Sequence, residues 1–239
     1  MARQYPADLL AAMLADDPGR PRLTWYDDEP GPTTGERIEL SAKVLGNWVN
    51  KAGNLLQDDL SAGPGTTVGL DLPPHWRACY WALATWAVGA TVVIDDDTLE
   101  ADVLVTADPR HAAAHAGDTV LVALPALARS HPDADEAAGA VDEARELSTH
   151  GDQFFALADP EAADLALSGS GHDTAYESLV TMEEGWGDAP RVALNGPLGT
   201  VLRQALSAWA ARGSIVLSRG APANEAHRFA SEGVTLSPG

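Results

Sequence analysis

Residues 63–94 read GPGTTVGLDLPPHWRACYWALATWAVGATVVI, and this stretch decides the fold class. Gly63-Pro64-Gly65 is a turn signal, and Thr67 to Leu72 reads as a strand. Pro73-Pro74 turns the chain, His75 to Val88 reads as a helix, and Thr91 to Ile94 is a second strand. Gly89 stands where a left-handed cap ends the helix. Both strands are too continuously apolar for a half-exposed hairpin. A strand–helix–strand unit of this kind predicts an α/β chain with a mainly parallel sheet flanked by helices.

Outward from this unit the alternation continues. Asp102 to Thr106 and Thr119 to Leu124 are short β runs, and the acid- and alanine-rich stretch His131 to Asp164 is expected to hold one helix and a loop. Leu165 to Leu167 and Arg191 to Leu194 then read as strands, followed by helix Thr200 to Arg212, strand Ser214 to Leu217 and helix Asn224 to Glu232. Val234 to Leu236 has the composition to start a further strand. Leu83, Trp86, Ala87, Gly89 and Val92 are echoed by Leu206, Trp209, Ala210, Gly213 and Val216. Two related units and chance convergence on a common supersecondary unit both account for the echo.

Upstream, Pro6 to Ala15 reads as an amphipathic helix. Leu23 to Asp27 and Arg37 to Leu40 form an N-terminal β-hairpin around the turn residues Pro30, Gly31, Pro32 and Gly35. Ser41 caps a helix on which Leu45, Trp48, Val49, Ala52, Leu55 and Leu56 recur at three- and four-residue spacing. Residues 1–239 are expected to form one domain, with sub-units 1–131 and 165–239 joined by the acidic segment 132–164.

Composition narrows the function. The net charge is −20, from 35 acidic and 15 basic residues, so no nucleic-acid partner is expected; a phosphate backbone needs clustered cations. Lys43 and Lys51 are the two lysines. The single cysteine, Cys79, lies in an apolar stretch, which excludes an internal disulfide or a cysteine-rich zinc site. Neither a signal peptide nor an apolar run of about 18 residues is present, so a cytoplasmic location and no membrane partner are expected.

Three loops carry the candidate site. Ser168-Gly169-Ser170-Gly171-His172-Asp173 follows a strand, and small residues there let backbone N–H groups converge on an anion. His172 and Asp173 stand where a Walker loop needs Lys and Ser/Thr, and Ser170 lacks the glycine spacing of a nucleophile elbow, so a plain flexible loop is the competing reading. His75 and Trp76 open a helix just after a strand, and Asn195-Gly196 follows another. In an open α/β sheet the carboxyl ends of strands host ligands, so His75, Trp76, Ser168, Gly169, Ser170, Gly171, Asn195 and Gly196 are the expected ligand contacts. The competing reading makes His75 a partly exposed residue at a helix start. His111 and His115 are four residues apart but have no third metal ligand, and Asp95-Asp96-Asp97 lacks the spacing of a calcium loop. No metal site and no catalytic residue are assigned.

Taken in order, several of these pieces resemble the front of the adenylate-forming ligase superfamily, which includes acyl-CoA synthetases and peptide-synthetase adenylation domains. The resemblance rests on Leu23-Thr24-Trp25-Tyr26-Asp27-Asp28, Glu39-Leu40-Ser41, Asn54-Leu55-Leu56, Gly63 to Leu70 and Leu83 to Ala90. It is good over residues 20–95 and weaker beyond. More narrowly, the chain resembles a short actinobacterial family related to those ligases. The family's phosphate loop runs Ser-Gly-Thr-Thr-Gly-x-Pro-Lys; Ser168-Gly169-Ser170 matches its start, whereas the closing glycine, proline and lysine have no counterpart. Leu194 to Gly199 lacks the aromatic and His of the family's acyl-pocket segment, and Glu232-Gly233-Val234-Thr235 resembles a motif found midway along family members.

The resemblance therefore implies a truncated, catalytically degenerate relative: a non-enzymatic scaffold that binds a small uncharged ligand or a protein partner, a second copy included. No cofactor is expected. The alternative is half of a split ligase completed by another chain, and ATP or AMP and magnesium belong to that alternative alone.

Overall fold

The computed structural model describes residues 4–169 and 171–238. Helix α1 (Pro6–Asp16) begins on proline, whose fixed φ suits a first turn, and the Asp8 carboxylate accepts the Tyr5 N–H at 2.8 Å. Strands β1 (Pro21–Asp27) and β2 (Arg37–Ser41) form the expected antiparallel hairpin. Ser41 Oγ accepts the Val44 N–H at 3.3 Å and so caps α2 (Ala42–Asn54), which widens into a π turn over Leu55–Asp59. Then come β3 (Thr67–Asp71), α3 (Trp76–Ala87), β4 (Thr91–Val93), a 3-10 turn over Asp95–Glu100, β5 (Val103–Thr106), α4 (Pro109–Ala114) and β6 (Asp118–Leu121). The acidic stretch yields β7 (Val141–Asp142) and α5 (Glu143–Glu146). Its expected helix is thus a single capped turn, because no apolar stripe continues past it. The chain ends in β8 (Leu165–Ser168), β9 (Thr174–Ala175), α6 (Tyr176–Leu179), β10 (Arg191–Leu194), α7 (Leu198–Ala210), β11 (Ser214–Arg219) and α8 (Glu225–Glu232).

The strands form two sheets, not one. A seven-stranded sheet has the order β7-β6-β5-β3-β4-β8-β9 and is parallel except for the β8–β9 pair. A four-stranded sheet has the order β10-β11-β1-β2, with β1 and β10 both parallel to β11. The chain divides accordingly into two compact units: Met1–Gly46, Pro73–Cys79 and Val180–Gly239 make the first, and Asn47–Leu72 with Tyr80–Leu179 the second. Residues 132–164, expected as a join, lie inside the second unit. The sequence pattern marks the described strands other than the two-residue β7 and β9, but not their partners: β1 pairs Leu23 with Ile215.

Each unit has its own core. In the first, α7 packs on β10 and β11, and Trp25, Leu202, Leu206 and Ile215 are buried. In the second, Val68, Val92, Leu104, Val120 and Leu167 fill successive strands, and Trp86 Nε1 donates to the Ala166 carbonyl at 2.7 Å. Burial of one such large apolar side chain contributes about 1.5–3 kcal/mol. Gly69, inside β3, has a packing role: a Cβ there would lie 2.2 Å from the Thr98 carbonyl oxygen, so glycine lets the 3-10 turn close on the strand. Among the described residues no helix is long and apolar enough to cross a membrane.

Helix α8 is held differently, since it buries no residue. Asn224 caps its start by accepting the His227 N–H at 3.0 Å, and Gly233 ends it in the left-handed conformation at φ 65°. Glu232 accepts from Arg191 at 2.5 Å, from Arg37 at 3.0 Å and from the Tyr26 hydroxyl. Arg228 pairs with Asp28 and lies 4.1 Å from the centre of the Tyr26 ring. Desolvation pushes the Glu232 carboxyl up, but the bonds from Tyr26, Arg191 and Arg37 outweigh it and hold the group below the usual carboxylate range. A carboxylate with a lowered folded-state pKa stabilises fully above its unfolded value near pH ~4.3, and the contribution is lost as pH falls through the lowered value. The hydrogen-exchange protection factors of the α8 amides, taken relative to the intrinsic rate at each pH, should therefore fall below about pH 4 in the wild type. Glu232→Gln should destabilise the helix by about 1–3 kcal/mol at neutral pH and flatten that acid dependence.

Candidate functional site

The loop after β8 closes on itself. Ser168 Oγ donates to Asp173 Oδ1 at 2.8 Å, and the His172 N–H donates to the Gly169 carbonyl at 3.1 Å. Gly169 is buried at φ +129°, and a Cβ on it would lie 2.4 Å from the Ile94 carbonyl oxygen. Its glycine is thus required by the approach of the loop to the end of β4, whatever binds there. Gly171 has φ +72° with nothing within 4 Å of a Cβ, and Ser170 lies outside the described residues. A bulky residue at Gly169 would collide with the Ile94 backbone. The Ser168 hydroxyl is spent on a carboxylate, which repels a phosphate.

His75 is wholly buried, correcting the partly exposed position expected of a helix start. Its ring meets Trp25 edge-on at 4.1 Å, and its Nδ1 accepts the Arg77 N–H at 3.1 Å. Burial, with the charges of Arg77 and Arg219, pushes its pKa down to about 2, so the ring is neutral. Trp76 is also buried, with the Arg77 guanidinium 4.3 Å from its ring centre. Asn195 and Gly196 are exposed; Asn195 lines a cavity of about 10 Å³ with Phe229 and Glu225, room for no more than one water.

The three loops, expected to follow strands of one parallel sheet, follow strands of two. Residues 73–76 and 168–171 follow β3 and β8 of the seven-stranded sheet, whereas Asn195-Gly196 follows β10 of the four-stranded sheet. His75, Trp76, Asn195 and Gly196 belong to the first unit, and Ser168, Gly169 and Gly171 to the second.

A polar cluster at the carboxyl edge of the seven-stranded sheet escaped the sequence reading. The chain leaves β3 for β4 on one side and places β5 on the other, so the order of winding reverses between β3 and β5. Asp71 closes β3, Thr106 closes β5, and the two are register partners. Thr106 Oγ1 donates to Asp71 Oδ2 at 2.5 Å, and His111 Nδ1 lies 2.7 Å from the same oxygen. In the tautomer that donates from Nδ1 to Asp71, Nε2 keeps its lone pair, on a side chain 41% exposed. Such an imidazole is competent to accept a proton or hydrogen bond from a ligand. Paired polar residues closing two apolar strands were the available signal; the spacing of His111 to His115 misdirected it. His115 lies past the end of α4, with Nδ1 3.2 Å from the Leu99 carbonyl oxygen.

No group of three or more His, Cys, Asp or Glu is arranged for a metal among the described residues. Cys79 is buried, and burial pushes its thiol up to about 12, which makes it a core residue in place of a nucleophile. The geometry of the β8 loop makes a stability prediction. Gly169→Ala should cost about 2–4 kcal/mol in urea denaturation, from strain plus the collision with Ile94. Gly171→Ala should cost only the left-handed strain of about 1–2 kcal/mol.

No family model matches the sequence. A TIGR03089 family protein of Mycobacterium tuberculosis is 41% identical over 152 residues, 61% of this chain and 60% of that protein. The N-terminal domain of FACL13 from Mycobacterium tuberculosis superposes with a TM-score of 0.72 at 14% identity, covering 98% of this chain and 62% of the other. An acyl-CoA synthetase of Brucella canis superposes at 0.70 with 15% identity over 98% of this chain and 47% of the other. The chain thus spans less than two thirds of each of these proteins. At such identities the superpositions establish the fold, and the described chain has the fold of the N-terminal part of the adenylate-forming enzymes.

Proposed function

We propose that this chain uses the adenylate-forming fold as a non-catalytic binding scaffold, working in the cytoplasm without ATP, AMP or magnesium. The observation that carries this reading is the bond from Ser168 Oγ to Asp173 Oδ1 in the loop after β8. In the family it resembles, that loop ends in a lysine and cradles phosphate. Here His172 and Asp173 follow the glycines, and both lysines precede residue 52. Acyl adenylation needs cations and a divalent metal against the charge developing on the α-phosphate. A carboxylate about 4 Å from a phosphate oxygen costs on the order of 4 kcal/mol at an effective dielectric of about 20. The scaffold's occupant is then a protein surface or a small uncharged molecule. For the latter, the strand ends at Asp71, Thr106 and His111 offer hydrogen-bonding groups without excess positive charge.

Isothermal calorimetry with MgATP and carboxylate-dependent ATP–pyrophosphate exchange test the reading together. Neither heat of binding at sub-millimolar affinity nor exchange above background is expected. A sub-millimolar MgATP affinity would overturn it.

A further inference from the structure

The second unit carries an apolar face that its own fold does not need. Residues 148–157 run as an irregular strap along the polar side of α2 and the π turn that follows. The strap is held by its main chain: Asn50 Nδ2 donates to the Asp152 carbonyl at 2.7 Å, and Lys51 Nζ to those of Ser148 and His150 at 3.3 and 2.5 Å. Asn54 Nδ2 donates to the Gly151 and Gln153 carbonyls at 3.0 and 2.9 Å. Gln57 finishes the row, donating to the Phe155 carbonyl at 3.3 Å and accepting the Leu157 N–H at 2.9 Å. Phe154 turns inward against Gly53, where a Cβ would lie 3.1 Å from its ring.

Phe155 and Leu157 turn outward, 79% and 84% exposed. Since backbone contacts fix the strap, these two side chains contribute little to placing it. Leu157 also borders an open groove of about 330 Å³ whose walls include Ala62, Pro64, Val88 and Ala158. Adjacent exposed apolar residues beside an apolar groove mark an interaction surface.

Charge identifies the occupant. The exposed Asp58 and Asp59 follow Gln57 of the groove wall, and the exposed Asp159 and Glu161 follow Ala158. The basic side chains beside this rim face its carboxylates: Lys51 pairs with Asp152 at 3.0 Å, and His150 Nε2 lies 3.4 Å from Asp59. A second copy would set this acidic rim against itself. We infer that the Phe155–Leu157 face and its groove dock a different protein, through a segment that presents apolar side chains flanked by Lys and Arg. The inference uses neither Ser168 nor Asp173, and it holds whether or not that loop admits ATP.

The test uses a labelled amphipathic helical peptide of leucine and lysine, with a leucine–glutamate counterpart, titrated into the whole chain by fluorescence anisotropy at physiological salt. The lysine peptide should bind in the micromolar range and the glutamate peptide at least tenfold more weakly. The Phe155→Asp, Leu157→Asp double variant should lose at least tenfold in affinity for the lysine peptide with an unchanged far-UV spectrum. That variant adds two negative charges, so adhesion by charge alone would strengthen instead. Equal or tighter binding by the variant, or equal binding of both peptides, would overturn the inference. So would a wild-type dimer in light scattering that the same substitutions convert to monomer, since the face would then be a self-interface.

Discussion

A buried guanidinium organises the first unit. Arg22 has no solvent exposure, and its Nη1 donates to the Arg212 and Gly213 carbonyls at 2.6 and 3.1 Å while Nη2 meets Asp16 at 2.7 Å. A buried cation is expensive unless it is paired and hydrogen-bonded, so the bonds from Nη1 and Nη2 tie together the end of α1, the turn after α7 and the start of β1. The Trp209 indole donates back to the Arg22 carbonyl at 3.0 Å. With these contacts in place, β1 lies parallel to β11 and the hairpin strand β2 has an edge on which to add.

Much of the architecture was legible because local signals agree with the fold. The proline at the start of α1, the Ser41 cap and the glycine at the end of α3 each terminate an element where the structure does. Arg191–Leu194 was delimited to the residue. Sheet membership was not legible. Nothing in Leu23-Thr24-Trp25 announces that its neighbour is Ile215-Val216-Leu217, because parallel pairing leaves no turn residues between partners.

The candidate site was read less well, for related reasons. The glycines after β8 resemble a phosphate cradle, yet Gly169 answers to the Ile94 backbone and Asp173 takes up the Ser168 hydroxyl. His75 sits at a strand end, but it faces Trp25 in the core. Asp71, Thr106 and His111 come together through strand register, a relation between residues 35 positions apart that linear spacing does not encode. Likewise, linear spacing does not show that Asn50, Lys51, Asn54 and Gln57 grip carbonyls about a hundred residues downstream.

The parallel pairing of β1 with β11 also bears on how the chain acquires its structure during synthesis. Among the described residues, the strand pairings of the seven-stranded sheet lie between Thr67 and Ala175, so they are made before β10 and β11 leave the ribosome. Strand β1, made among the first residues, must wait for a partner nearly two hundred positions later, with one edge open in the interval. Contacts of such long sequence separation form slowly, and vectorial synthesis completes the enclosed segment first. The hairpin therefore behaves as a held place, filled by a strand made nearly two hundred residues later.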